Sequence, residues 1–139
     1  MTMNSTILVA VTDIFFYTKV RDALRPQGYG LERVRNHDEV AEKAASLVPA
    51  AMILNMNDPG VDAFKALEAL QADPMLRSLP ILAFANHEEV DTWKCAKELG
   101  VTKIVSRNEF SARTRELVEE IIANSCQQSA VSSERHAEG

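Results

Sequence analysis

The sequence predicts an α/β fold in which a doubly wound parallel sheet of five strands is covered by five helices. Short apolar runs alternate with amphipathic stretches along residues 6–124, the pattern of repeated βα units. Two runs, residues 51–54 and 81–85, are continuously apolar, as expected for central strands buried on both faces. At 139 residues, the chain is long enough for one domain with a substantial core.

Five strand candidates follow one another along the chain. They are residues 7–11, 30–35, 51–54, 81–85 and 102–105. Polar residues follow several of them, and in open α/β sheets the carboxyl ends of the strands are where functional residues gather.

Five helices are predicted after the strands, because apolar residues recur at three- and four-residue spacing in each connection. The predicted buried stripes are Phe16, Val20, Ala23 and Leu24; Val40, Ala44, Leu47 and Val48; Phe64, Leu67 and Leu70; Trp93, Ala96 and Leu99; and Leu117, Val118, Ile121 and Ile122. Asn36 with Glu39, and Asn86 with Glu89, resemble capping boxes at the starts of the second and fourth helices.

Composition and charge limit the partners. The net charge is -5 and no segment clusters Lys and Arg, which argues against binding to nucleic acid. No apolar stretch is long enough for a signal peptide or a membrane span, so we expect a cytoplasmic protein without a membrane partner. Residues 1–124 form the predicted domain, and the polar residues 125–139 are predicted to be a flexible tail.

Asn55 is the residue that most constrains function. It follows the apolar run of residues 51–54 and precedes the turn sequence Asn57-Asp58-Pro59-Gly60. An amide has the shape of a carboxylate but lacks its charge and most of its nucleophilicity. Chemistry that needs a carboxylate at this strand end is therefore not expected.

These features resemble the receiver domain of two-component response regulators, of the chemotaxis receiver type, over residues 6–124. The resemblance implies a flavodoxin-like sheet with strand order 2-1-3-4-5. In that family a pair of acids after the first strand holds Mg²⁺, and Thr12 and Asp13 stand there in this chain. The family's third strand ends in the phospho-accepting Asp ahead of a Pro-Gly loop, where this chain has Asn55.

The fourth and fifth strands depart from the family pattern as well. Ala85 stands where the family has a Thr or Ser that bonds the phosphoryl group, and Ile104 replaces its aromatic switch residue. Arg107 takes the place of the family's Lys and Asn108 that of the following Pro. A guanidinium keeps the positive charge, but its larger fork needs a different geometry.

We expect neither a cofactor nor a functional metal site. Asp13, together with the Asn57 carbonyl and the Asn55 amide oxygen, would bind Mg²⁺ only weakly. Asp58 is expected to be a turn or cap residue whose carboxylate points away from Asp13.

The sequence therefore predicts a pseudo-receiver without enzymatic activity, acting as a phosphorylation-independent interaction module in bacterial two-component-type signalling. Its altered phospho-pocket comprises Thr12, Asp13, Asn55, Ala85 and Arg107. The face of the fourth helix, fifth strand and fifth helix would bind a signalling protein or a second copy of the chain, through Trp93, Ile104 and Phe110. Two alternatives stay open: a receiver phosphorylated at an unusual acid, Asp13 or Asp58, and a binder of a small anion at the strand-end crevice beside Arg107.

Overall fold

The computed structural model describes residues 6–123, which form a five-stranded parallel sheet with helices on both faces. The strands are β1 (Thr6–Ala10), β2 (Gly30–Val34), β3 (Ala51–Asn55), β4 (Ile81–Ala85) and β5 (Lys103–Ser106). Their order across the sheet is β2, β1, β3, β4, β5, with every neighbouring pair parallel. The predicted fold class and strand order are confirmed.

Helices cover the connections between the strands. They are α1 (Ile14–Leu24), α2 (His37–Leu47), α3 (Ala63–Ala72), α4 (Val90–Glu98), α5 (Arg107–Ala112) and α6 (114–123), with a short 3-10 helix at Arg25–Gln27. The sequence predicted one helix after β5, whereas the structure has two, separated at Arg113. There the backbone leaves helical geometry at φ -133° and ψ 35°, and the Thr114 hydroxyl donates to the Phe110 carbonyl across the break at 2.7 Å.

The sheet separates two apolar clusters. Alternate residues of each strand face opposite sides, so that Leu8 and Ala10 of β1 pack with α2, α3 and α4. Ile7 and Val9 pack on the other side with α1, α5 and α6. All ten residues of β3 and β4 are buried, as the apolar runs predicted.

Two details of the predicted helices need correction. Val48 is exposed, because α2 ends at Leu47 and Val48 adopts the left-handed conformation of a C-cap, with φ 46°. Asn86 is not a helix cap, since α4 begins at Val90 after Glu89. The other predicted cap is confirmed, because the Asn36 Oδ1 accepts the Glu39 N–H at 3.0 Å.

The predicted tail, residues 125–139, lies outside the residues that the structure describes. Within residues 6–123, no helix has both the length and the apolar character needed to cross a membrane.

Candidate functional site

The predicted pocket residues lie at the carboxyl edge of the sheet. Thr12 and Asp13 follow β1, Asn55 ends β3, Ala85 ends β4 and Arg107 follows β5. Because the strands are parallel, all of these ends reach the same edge. The fold therefore brings together residues that are far apart in the sequence.

Asn55 is nearly inaccessible, with 6% of its surface exposed. Its Oδ1 accepts the backbone N–H of Asn57 at 2.9 Å, so the amide oxygen shapes the turn that follows β3. An amide oxygen engaged in this way, without a negative charge, is not a nucleophile.

Asp58 joins two loops through its buried carboxylate, which is 9% exposed. Oδ2 accepts the Thr12 N–H at 2.7 Å, and Oδ1 accepts the Thr12 hydroxyl at 2.9 Å. The same Oδ1 accepts the N–H groups of Gly60 and Val61 at 2.8 and 3.1 Å. As predicted, Asp58 serves the turn, through the N–H groups of Gly60 and Val61. Its carboxylate was also predicted to point away from Asp13, but it contacts Thr12, the residue next to Asp13.

Gly60 is required by this close approach of the two loops. A Cβ atom at position 60 would clash with the Thr12 methyl group, and it would also lie 3.5 Å from the Arg35 carbonyl oxygen. Thr12 and Asp58 thus hold the β1–α1 and β3–α3 loops in contact.

Asp13 is the N-cap of α1. Its Oδ1 accepts the N–H groups of Phe15 and Phe16 at 2.9 and 3.3 Å, which satisfies backbone donors that the helix leaves without partners. With Asp13 capping a helix and Asp58 bound to four donors, the acids at this edge do not fit a magnesium site. Residues 6–123 contain no group of three His, Cys, Asp or Glu side chains that could hold a metal ion.

Ala85 provides no hydroxyl at the end of β4. Its partner in register on β5 is Ser106, whose Oγ accepts the Glu109 N–H at 3.1 Å and so caps α5. Sequence reasoning did not single out Ser106, although a Ser three residues before a Glu is a capping signal.

Arg107 lies over aromatic rings. Its guanidinium carbon is 5.0 Å from the Phe16 ring centroid and 5.7 Å from that of Phe84. Phe110 stacks on Phe16 and on Phe84, and Phe16 is tilted against Phe84, with centroids 4.7 to 5.5 Å apart in this aromatic stack. Among the described residues no hydrogen bond joins Arg107 to Asn55, so this cation contributes to aromatic packing.

A second hydrogen-bonded group extends from Asn57 to α4. The Asn57 Nδ2 donates to the Glu89 Oε1 at 2.8 Å, and its Oδ1 accepts the Asn86 N–H at 3.0 Å. Glu89 also accepts the Thr92 hydroxyl at 3.1 Å, and the Trp93 indole N–H donates to the Asn86 carbonyl at 2.9 Å. The hydrogen bond from Asn57, followed by that from Thr92, lowers the pKa of Glu89.

The predicted interaction face is only partly at the surface. Trp93 is half-buried against the core, whereas Ile104 and Phe110 are buried. Phe110 lies in the aromatic stack, and Ile104 lies in the apolar core. Because both side chains are buried, neither can contact a partner directly. The exposed apolar residue of this region is Val90, one helical turn before Trp93 and 69% exposed.

Proteins of known structure share this architecture. A chain described as a response regulator from Chloroflexus aurantiacus superposes with a TM-score of 0.77 at 21% identity, covering 87% of this chain and 99% of the other. The receiver domain of a sensor histidine kinase from Pseudomonas aeruginosa, with a magnesium ion in its active site cleft, gives a TM-score of 0.75 at 17% identity, with coverage of 87% and 99%. The chain has the receiver fold.

A longer protein contains the same fold as a part. NtrX from Brucella abortus gives a TM-score of 0.81 at 17% identity over 94% of this chain, which spans 29% of the NtrX chain. No protein-family model matches the sequence, and no curated protein sequence matches it. The likeness therefore concerns the fold, and the chemistry rests on the residues of the site.

Proposed function

We propose that this chain is a receiver-like interaction domain that works without phosphorylation in bacterial two-component-type signalling. The observation that carries the proposal is the use of Asp13 and Asp58. Both carboxylates at the pocket edge bind the protein's own backbone, while Asn55 stands at the acceptor position.

Phosphoryl transfer to a carboxylate requires a nucleophile, a divalent cation that neutralises the phosphoryl oxygens, and fixed donors around them. Asn55 supplies no nucleophile, and Ala85 supplies no hydroxyl donor. Arg107 lies on the rings of Phe16 and Phe84. The site accordingly supports binding through the scaffold and not catalysis.

The two alternatives are less well supported. Phosphorylation of Asp58 would take its carboxylate away from four donors, and phosphorylation of Asp13 would remove the cap of α1. For a small anion beside Arg107, neither Asn55 nor Ala85 supplies a second positive charge. Neither alternative uses the contacts that the site makes.

The partner is proposed to be a signalling protein that docks on α4, with a second copy of the chain as the other occupant of the same face. Val90 exposes an apolar side chain on the first turn of α4, and Trp93 lies three residues further on the same side. Tryptophan is enriched among the residues that carry the binding energy of protein interfaces, and Val90 adds exposed apolar surface beside it.

The decisive experiment for phosphorylation is incubation with acetyl phosphate and Mg²⁺, followed by intact mass measurement. A receiver domain with an Asp acceptor serves as the positive control in the same reaction. We expect no added phosphoryl group on this chain. A metal-dependent gain of one phosphoryl mass would contradict the proposal.

The docking face is tested separately with two charge substitutions. Val90→Glu places a charge on α4, and Met75→Glu places the same charge at a residue that is 85% exposed after α3. A pull-down with the immobilised wild-type chain or either variant measures binding to the signalling protein, and size-exclusion chromatography measures self-association. We expect Val90→Glu to abolish the binding that the wild type shows, and Met75→Glu to keep it. Equal binding by all three proteins would exclude this face.

A further inference from the structure

The loop between β4 and α4 is held by one side chain from a different loop. Asn57 uses both ends of its amide: Nδ2 donates to the Glu89 carboxylate at 2.8 Å, and Oδ1 accepts the Asn86 N–H at 3.0 Å. These two partners lie at the two ends of residues 86–89. A single amide therefore contacts both ends of the loop.

Glu89 occupies the N-cap position of α4 but makes no capping hydrogen bond with its side chain. Its carboxylate accepts Asn57 Nδ2 and the Thr92 hydroxyl, and the Asn86 Nδ2 lies 3.5 Å away. N-cap side chains commonly bind the first free N–H groups of the helix. In this chain the Glu89 carboxylate instead accepts a hydrogen bond from Asn57 in the β3–α3 loop.

The contact continues into α4 and back to Asn55. The Trp93 indole N–H donates to the Asn86 carbonyl at 2.9 Å, so the same loop orients the tryptophan. On the other side, Asn55 Oδ1 accepts the Asn57 N–H at 2.9 Å. A continuous set of hydrogen bonds thus runs from the end of β3 to the first turn of α4.

We propose that the Asn57 to Glu89 hydrogen bond is a bridge that holds the β4–α4 loop and Trp93 in one arrangement, with Asn57 as the positioning residue. This inference goes beyond the proposed function, because it concerns the conformation of α4 and holds whether or not a partner docks there. Hydrogen bonds to a charged group contribute more to stability than neutral ones, and Glu89 carries the charge in this bridge.

Hydrogen exchange of the full chain tests the bridge. Asn57→Ala and Glu89→Ala remove its two partners, and Glu88→Ala is the matched control, because Glu88 is the adjacent, exposed acid. We expect the amides of residues 86–93 to exchange about tenfold faster in the first two variants, as loss of a hydrogen bond to a charged group implies. Amides of β3 should exchange as in the wild type.

Fluorescence gives an independent readout, since Trp93 is the single tryptophan of the chain. Its emission should shift in Asn57→Ala and Glu89→Ala and stay unchanged in Glu88→Ala. The double variant should exchange no faster than the faster single variant, because both substitutions remove the same hydrogen bond.

Two results would overturn the proposal. In the first, the amide exchange rates and the Trp93 emission of Asn57→Ala and Glu89→Ala are equal to those of Glu88→Ala. The other is a uniform increase of exchange along the whole chain, which would indicate general destabilisation and no local role. If Asn57→Ala does not fold, Glu89→Ala decides alone, because it removes the other partner of the same hydrogen bond.

Discussion

Asp58 carries the connection between the β1–α1 and β3–α3 loops. Its carboxylate accepts the Thr12 N–H, the Thr12 hydroxyl and the N–H groups of Gly60 and Val61. A buried carboxylate is stable only when donors replace the water it loses, and here the protein supplies all of them. A replacement that offers a donor in place of an acceptor is therefore expected to destabilise the protein.

We expect Asp58→Asn to lower the free energy of unfolding by about 1–3 kcal/mol, because the new NH₂ group faces a donor that loses its acceptor. Urea denaturation measures the loss. Asp62→Asn is the matched control: the Asp62 Oδ1 accepts only the Lys65 N–H in capping α3, and Asn caps equally well. Equal stability of the two variants would refute the role assigned to Asp58.

Asn55→Asp is a stringent test of the site, since it restores a carboxylate at the end of β3. We expect no metal-dependent phosphorylation by acetyl phosphate, because Thr12 provides no acid for a cation and Ala85 no hydroxyl for the phosphoryl oxygens. Intact mass is the measurement, with circular dichroism to show that the variant is folded. A phosphoryl gain in this variant would mean that Asn55 alone disables the pocket.

The sequence predicted the local behaviour of these residues and not their distant contacts. That Asp58 would serve a turn follows from its place before Pro59 and Gly60. Its contact with Thr12, 46 residues away, depends on how closely the two loops approach. No pattern in one sequence specifies that approach, although Gly60 marks a point where a side chain cannot be accommodated.

At the scale of the elements, α4 is positioned by hydrogen bonds of its preceding loop as well as by its own packing. Of its predicted buried stripe, Ala96 is fully buried, whereas Trp93 and Leu99 are only partly buried. A helix with so narrow a buried stripe gains little from packing. Hydrogen bonds through Asn57, Glu89 and Asn86 then make a larger share of what positions it.

The pKa of Glu89 makes this element sensitive to acid. Hydrogen bonds from Asn57 and then Thr92 lower that pKa. The contribution of Glu89 to stability is therefore fully present above the ordinary pKa of a glutamate side chain and is lost as the pH falls through its lower folded pKa. We expect Trp93 emission to change within that acidic range.

Glu89→Gln is the control for the acid response, because it keeps the size of the side chain and removes the titration. In this variant the acid-dependent change of Trp93 emission should disappear from the range assigned to Glu89. An identical titration in the wild type and the variant would mean that another group causes it.

Periodicity predicted the element boundaries correctly where the apolar runs were long. It failed to predict a break that no Gly or Pro residue marks. Residues 81–85 were predicted with the bounds that β4 has. The break at Arg113 was missed, because it contains neither Gly nor Pro and depends on the contact between Thr114 and Phe110. The burial of Phe110 was likewise not visible, since its place in the aromatic stack is set by Phe16 and Phe84 from other elements.

At the scale of the whole molecule, most of the buried apolar surface comes from residues outside the site. The apolar clusters on the two sides of the sheet include the fully buried interiors of β3 and β4, whereas the site lies at the strand ends. Burial of apolar surface is the main stabilising term. Substitutions at the exposed strand ends are therefore expected to cost less stability than substitutions inside β3 and β4, with the buried Asp58 as the exception.

This separation leads to a prediction about Mg²⁺. Because Asp58 joins the two loops by hydrogen bonds and Asp13 caps α1, we expect the folded protein to bind the ion no more tightly than the unfolded chain does. A site with a Kd 100-fold below the ion concentration would add about 2.7 kcal/mol to the free energy of unfolding. For a domain of this size, that raises Tm by several degrees.

We expect Tm to be the same in MgCl₂ as in NaCl of equal ionic strength, measured by thermal denaturation. A saturable rise of Tm with MgCl₂ alone would show that the loops at this edge still hold a cation.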